Sequence, residues 1–232
     1  MAINNPYIDL VKQHPHIWTD TKKMYGMPGQ WREFFVQKTP IYLEIGTGMG
    51  NFFGGEVREN PGINYIGMEL KYKRLYTTAQ KALGQKATQF YSPSMKGLEE
   101  AKDTTAHFVL LKDYAQHINT IFAEAEIDLS YIFFPDPWGK KDRQKKHRLL
   151  QTPFLNDIYH ITKPAGKCII KTDHPEYFDF INTQVAETNW EVMRISYDWE
   201  NEDDYDKSKD TEFQKITKKE NPKVHYLELQ KK

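Results

Sequence analysis

Ile41-Tyr42-Leu43-Glu44-Ile45-Gly46-Thr47-Gly48-Met49-Gly50 is a short apolar run, interrupted by one acid, that ends in three glycines at alternate positions. A run of this length closed by glycines reads as a buried strand followed by a sharp turn, against whose main chain a ligand can press. Similar short runs recur at Asn64 to Met68, Phe108 to Leu111, Ile127 to Phe134, Lys167 to Lys171, Glu191 to Tyr197 and Val224 to Leu229. Most are separated by an amphipathic stretch, and several are continuously rather than alternately apolar, as in a parallel sheet covered on both faces. The expected fold is a doubly wound α/β domain, Rossmann-like, with a mostly parallel seven-stranded sheet.

Two helix starts support this order: Thr152-Pro153 and Asp173-His174-Pro175 each place a capping residue before a proline. Lys163-Pro164-Ala165-Gly166 supplies a turn ahead of the strand at 167. Residues 1–40 form an extension whose Trp31, Phe34 and Phe35 predict a helix docked on the domain at 41–232. Gly54 and Gly55 predict that the helix after the glycine loop is short or kinked. The stretch from Asp198 to Asp210 holds seven acids against two lysines and reads as a solvated loop between the last strands.

In 232 residues, 32 Lys plus Arg balance 32 Asp plus Glu, so electrostatic targeting has to come from the distribution of charge. One cysteine, Cys168, excludes an internal disulfide and fits a reducing compartment, so cytoplasm is expected. No apolar run suits a membrane span, and the start lacks the order of a signal peptide. The eight histidines show no metal-ligand spacing, and no metal is expected.

Three acids stand at three successive strand ends: Glu44 before Gly46, Gly48 and Gly50, Glu69 after the second run, and Asp113 after the third. Ligands bind open α/β sheets at this edge. Glu69 suits two ribose hydroxyls, and Asp113 suits an adenine amino group. Dinucleotide loops have Gly-x-Gly-x-x-Gly and receive a pyrophosphate. Here the spacing is Gly-x-Gly-x-Gly, and Glu44 would repel a diphosphate but suits a cation, which favours S-adenosylmethionine.

Tyr131-Ile132-Phe133-Phe134-Pro135-Asp136-Pro137-Trp138 carries a strand into an acid held between prolines, which restrict the backbone on both sides. Gly139 to Arg148 follows with six Lys or Arg and one acid. Beside a reacting group, such a run suits the phosphates of a nucleic acid, which position without reading sequence. Trp138 reads equally as a stacking platform or as core packing.

Together, Leu43 to Gly50, Ile66-Gly67-Met68-Glu69, Phe134 to Lys141, Arg148 to Leu155, Lys163 to Gly166 and Lys171-Thr172-Asp173 resemble the bacterial tRNA (guanine-N7)-methyltransferase family, over roughly residues 40 to 230. The resemblance implies a class I fold and methyl transfer from S-adenosylmethionine to N7 of a guanosine in tRNA, in its variable loop. It further implies that Glu44, Glu69, Asp113 and Asp136 surround the cofactor and that Asp136 is catalytic. Lys140 and Asp173 would contact the guanosine, and Asp142, Arg143, Gln144, Lys145, Lys146 and His147 the RNA. Thr211, Glu212, Phe213 and Gln214 would form a late substrate motif. Three departures stand out. Gln214 replaces the usual glutamate, His174 replaces asparagine, and the link from Gly84 to Ala106 is longer than usual. Rival readings are a class I methyltransferase acting on an exocyclic amino group or on protein, a nicotinamide-dependent oxidoreductase, and a non-catalytic RNA-binding module.

Overall fold

The computed structural model describes residues 5–85, 107–139, 142–217 and 223–232, with only the backbone of Asp142 and Thr217. Residues 86–106 of the longer link from Gly84 to Ala106, and Lys140, lie outside the described residues. The described elements run α1 (Tyr7–Gln13), β1 (Ile17–Trp18), α2 (Thr21–Tyr25), α3 (Trp31–Phe34), β2 (Ile41–Ile45), α4 (Asn51–Glu59), β3 (Asn64–Met68), α5 (Tyr72–Ala82), β4 (Phe108–Leu111) and α6 (Ile118–Ile121). They continue with β5 (Ile127–Phe133), α7 (Thr152–Ile161), β6 (Thr162–Thr172), α8 (Pro175–Val185), β7 (Trp190–Ser196), α9 (Glu212–Thr217) and β8 (His225–Lys231).

The strand order is β1-β4-β3-β2-β5-β6-β8-β7, parallel except where β8 runs antiparallel to β6 and β7. The sheet therefore has eight strands among the described residues instead of seven, because Ile17 and Trp18 pair with Leu110 and Leu111 and extend one edge. The order reverses between β2 and β5, so the ends of β2, β3, β4 and β5 face one crevice, the topological switch point of the fold.

Residues of the N-terminal extension are bound into this sheet. Trp31 is completely buried, donates its indole N–H to the Ile121 carbonyl at 2.8 Å and its main-chain N–H to Glu126 at 3.0 Å. Truncating so buried an aromatic costs about 3–5 kcal/mol in general. Phe35 is buried beside it, whereas Phe34 keeps 41% of its surface exposed. Strands β2, β3, β5, β6 and β8 supply the main core through residues such as Leu43, Ile66, Ile132, Ile170 and Leu227, against α7 and α8.

Local details depart from the sequence reading. Gln151, not Thr152, precedes α7, and the free Thr152 N–H is taken by Gln184 Oε1 at 3.0 Å. His174, not Asp173, caps α8 by accepting the Tyr177 N–H on Nδ1. Strand β6 begins at Thr162, with residues 163–166 included as an irregularity against β5. Gly54 permits close approach: a Cβ there would stand 2.8 Å from the Lys81 Cβ of α5. The acidic stretch is a folded strap. Trp199 is buried and stacks on Tyr226 with centroids 4.0 Å apart, and Lys209 reaches Glu56 and Glu59 on α4, each at 2.6 Å.

Candidate active site

The glycine loop folds as the spacing demands. Gly46, Gly48 and Gly50 all have positive φ, at 83°, 56° and 74°. Gly50 caps α4 in the left-handed region, and a Cβ on it would lie 2.5 Å from the Thr78 Cα. Two adjoining clefts open at this edge. One, of about 430 Å³, is lined by Ile45, Gly46, Glu69, Arg74, Asp113, Asp136 and others. The second, of about 290 Å³, is lined by Glu44, the glycine loop, Asp136 and residues of the late motif. Gly46, Arg74, Phe133, Phe134 and Asp136 belong to both.

The three strand-end acids are brought together and buried. Glu69 is already engaged: Oε1 accepts the N–H groups of Leu70 and Lys71 at 2.8 and 2.9 Å, and Oε2 accepts that of Gly48 at 3.1 Å. Asp113 Oδ1 accepts from the Tyr114 N–H at 2.7 Å and lies 2.8 Å from His117 Nδ1, while its Oδ2 is buried with no hydrogen-bond partner. Glu44 Oε2 is likewise buried without a partner. Burial, reinforced by Glu56 and Glu69, pushes the Glu44 carboxyl well above the usual carboxylate range. Two buried carboxyl oxygens without a partner, on residues that line the clefts, leave room for hydrogen-bond donors, and an ammonium and an adenine amino group are both of that kind.

Asp136 is exposed on the wall common to both clefts. The backbone around it is unusual: Phe134 and Trp138 have φ of 51° and 46°, a region that bulky residues seldom occupy. Two hydrogen bonds hold it there. The Phe134 N–H donates to the Lys171 carbonyl at 2.8 Å, and Arg148 Nε donates to the Pro137 carbonyl at 2.8 Å. Local strain of this kind persists where surrounding contacts over-determine it, commonly at functional sites.

Arg148 was legible only as one more cation of the basic run. Its side chain is 2% exposed, lies over the rings of Tyr177 and Phe180 at 5.0 and 4.9 Å, and pairs with Glu176. Lys145 is tied to the same Glu176 at 2.7 Å. Arg143, Lys146 and His147 face outward, Gln144 is half-buried, and the His147 ring tilts against Trp138 at the rim of the larger cleft. Trp138 is 41% exposed and lines that cleft, so it is not core packing.

The late motif divides. Thr211, Glu212 and Phe213 line the smaller cleft, with Phe213 tilted on Phe134 at 5.1 Å. Gln214 lines neither cleft: it is completely buried and donates to Glu200 at 2.6 Å, because its helix turns that face inward. Asp173 follows β6 outside both clefts, and the adjacent His174 ring lies 3.1 Å from where a Cβ on Gly139 would stand. Sequence reasoning missed Arg74, which touches both clefts and pairs with Glu69 at 3.7 Å, and Tyr114 at the cleft mouth. Their signal was present in the cations and the aromatic that immediately follow Glu69 and Asp113.

Comparison with known proteins decides the family. Residues 38–227 match a family model described as "Putative methyltransferase". A tRNA (guanine-N(7)-)-methyltransferase of Lachnoclostridium phytofermentans is 34% identical over 73% of this chain and 71% of its own. This chain belongs to the tRNA (guanine-N7)-methyltransferase family. A bifunctional glycosyltransferase/methyltransferase of Fusobacterium nucleatum is 30% identical over 98% of this chain, which spans 33% of that longer protein. Among solved structures, the 16S rRNA methyltransferase KamB superposes with a TM-score of 0.56 at 15% identity, covering 87% of this chain and 91% of its own. That likeness shows the Rossmann-like fold of class I methyltransferases.

Proposed function

We propose that this protein transfers a methyl group from S-adenosylmethionine to N7 of a guanosine in tRNA, in its variable loop, and does so in the cytoplasm. The observation that carries the reading is Asp136, held on strained backbone at the wall shared by two clefts whose floors are buried carboxylates. Glu44 would hold the ammonium of the cofactor, Glu69 its ribose hydroxyls and Asp113 Oδ2 its adenine amino group. The bound cofactor supplies an electrophilic methyl group on a positively charged sulfur.

Guanine N7 carries a lone pair and no proton, so its attack on that methyl needs no general base. Alignment supplies the acceleration. Methyl transfer to N7 would leave positive charge on the guanine ring. Asp136 orients the base and stabilises that charge. A base within folded RNA has to leave its stack to arrive there, and exposed Trp138 at the cleft mouth offers it a stacking surface.

Incubation of the protein with unmodified tRNA and labelled methyl donor, followed by nucleoside mass spectrometry, should give N7-methylguanosine. Asp136→Asn should lower turnover by orders of magnitude while tRNA affinity stays near that of the unsubstituted protein. A methyl group found on an exocyclic amine, or unchanged turnover in the variant, would refute the assignment.

A further inference from the structure

Trp138 and His147 bring the start and end of the basic run to the larger cleft, and two of the run's cations are engaged within the protein. Lys145 is spent on Glu176, and Arg148 is buried. On the β3 and β4 side the cleft is lined by Leu70, Arg74 and Tyr114, so that Arg74 brings a cation to it. Lys71 and Lys73 lie between the cleft-lining Leu70 and Arg74 in sequence, are exposed, and form no ion pair among the described residues. The acids beside them, Glu69 and Asp113, are buried and hydrogen-bonded to backbone N–H groups. Lys112 adds a further ammonium, 4.6 Å over the Tyr72 ring.

Each side also carries an exposed aromatic that lines the cleft, Trp138 next to the basic run and Tyr114, 57% exposed, after β4. Cations interleaved with exposed rings are the composition that tracks a nucleic-acid backbone while stacking unpaired bases. The proposed cofactor has no phosphate, so it gives Lys71 and Lys73 no function.

We propose that Lys71, Lys73 and Tyr114 form a second RNA-binding rim, so that the tRNA backbone crosses the cofactor cleft and is held on both sides. This deepens the proposed function and rests on it. Both lysines are exposed, and the Lys71 main-chain contact to Glu69 does not involve its side chain. Lys71→Ala with Lys73→Ala should therefore keep S-adenosylmethionine affinity, measured by calorimetry. The same pair should weaken tRNA binding and make the slope of log K against log salt less negative by about 1.4 to 1.8, at roughly 0.7–0.9 per phosphate contact. Lys71→Glu with Lys73→Glu should weaken it further.

In the unsubstituted protein, tRNA should protect Lys71 and Lys73 from acylation by an N-hydroxysuccinimide ester, read by peptide mass spectrometry. If the unsubstituted protein methylates guanosine N7 while the alanine pair binds tRNA with unchanged slope, or both lysines stay reactive, the second rim is refuted and the activity stands. If it makes no N7-methylguanosine, the proposed function itself fails.

Discussion

Arg148 offers a direct way to separate holding the site from holding the substrate. By sequence it closes a basic run and would be expected to meet phosphate. In the structure its guanidinium is enclosed, donates to the Pro137 carbonyl at 2.8 Å and to Glu176 at 3.3 Å, and lies over two aromatic rings. Arg148→Lys keeps the charge but loses the planar fork that serves the carbonyl and the carboxylate together. A hydrogen bond to a charged group contributes about 1.5–3 kcal/mol, and a desolvated cation–π contact up to about 2 kcal/mol. A stability loss of about 2–4 kcal/mol is expected, and the loop carrying Asp136 is released at one of its two anchors. A displacement of roughly 1 Å at a reacting centre can cost about 100-fold in rate. Single-turnover methylation at saturating tRNA and filter binding across a salt series make the test. The rate should fall about 100-fold while tRNA affinity and its salt slope stay unchanged. A lysine variant that methylates at the unsubstituted rate would refute the anchoring role.

Much of the scaffold was legible because strand signals and burial coincide. Ile41–Ile45, Asn64–Met68 and Phe108–Leu111 fall where their apolar runs begin and end, since both faces of those strands are covered. Strand β1 was not legible. Two residues carry no periodicity, and Ile17–Trp18 become a strand only because Leu110 and Leu111 present an edge. The acidic strap was misread for a similar reason: Asp203, Asp204 and Asp206 do face outward, while Asp210 is buried and Trp199 and Lys209 find partners distant in sequence. At the site, Gly46, Gly48 and Gly50 and the three strand-end acids could be read because each position follows a strand end. The division of the basic run could not. Lys145 and Arg148 turn to Glu176, which lies on α8 and is invisible to any local pattern.

Two further predictions concern buried ionisable groups. His14 is enclosed beside His16, and burial lowers its pKa to about 3. Since the unfolded chain binds this proton near pH 6.5 and the folded chain resists it, stability should fall as pH drops from about 6.5 toward 3. His14→Gln should flatten that decline in urea titrations between pH 4 and 7, and an equal decline would contradict the reading. Glu44 acts in the opposite phase of the cycle, on binding. Its pKa is raised in the free protein, and an ammonium arriving beside it would lower that pKa again, because a cation next to the carboxyl favours its ionised form. Binding of S-adenosylmethionine should therefore release a proton, and affinity should rise with pH up to the free-protein pKa of Glu44. Calorimetry in two buffers of different ionisation enthalpy counts that proton, and Glu44→Gln should abolish the release. A release that survives in the variant would mean that another group titrates, and the ammonium would then have to be sought elsewhere in the crevice.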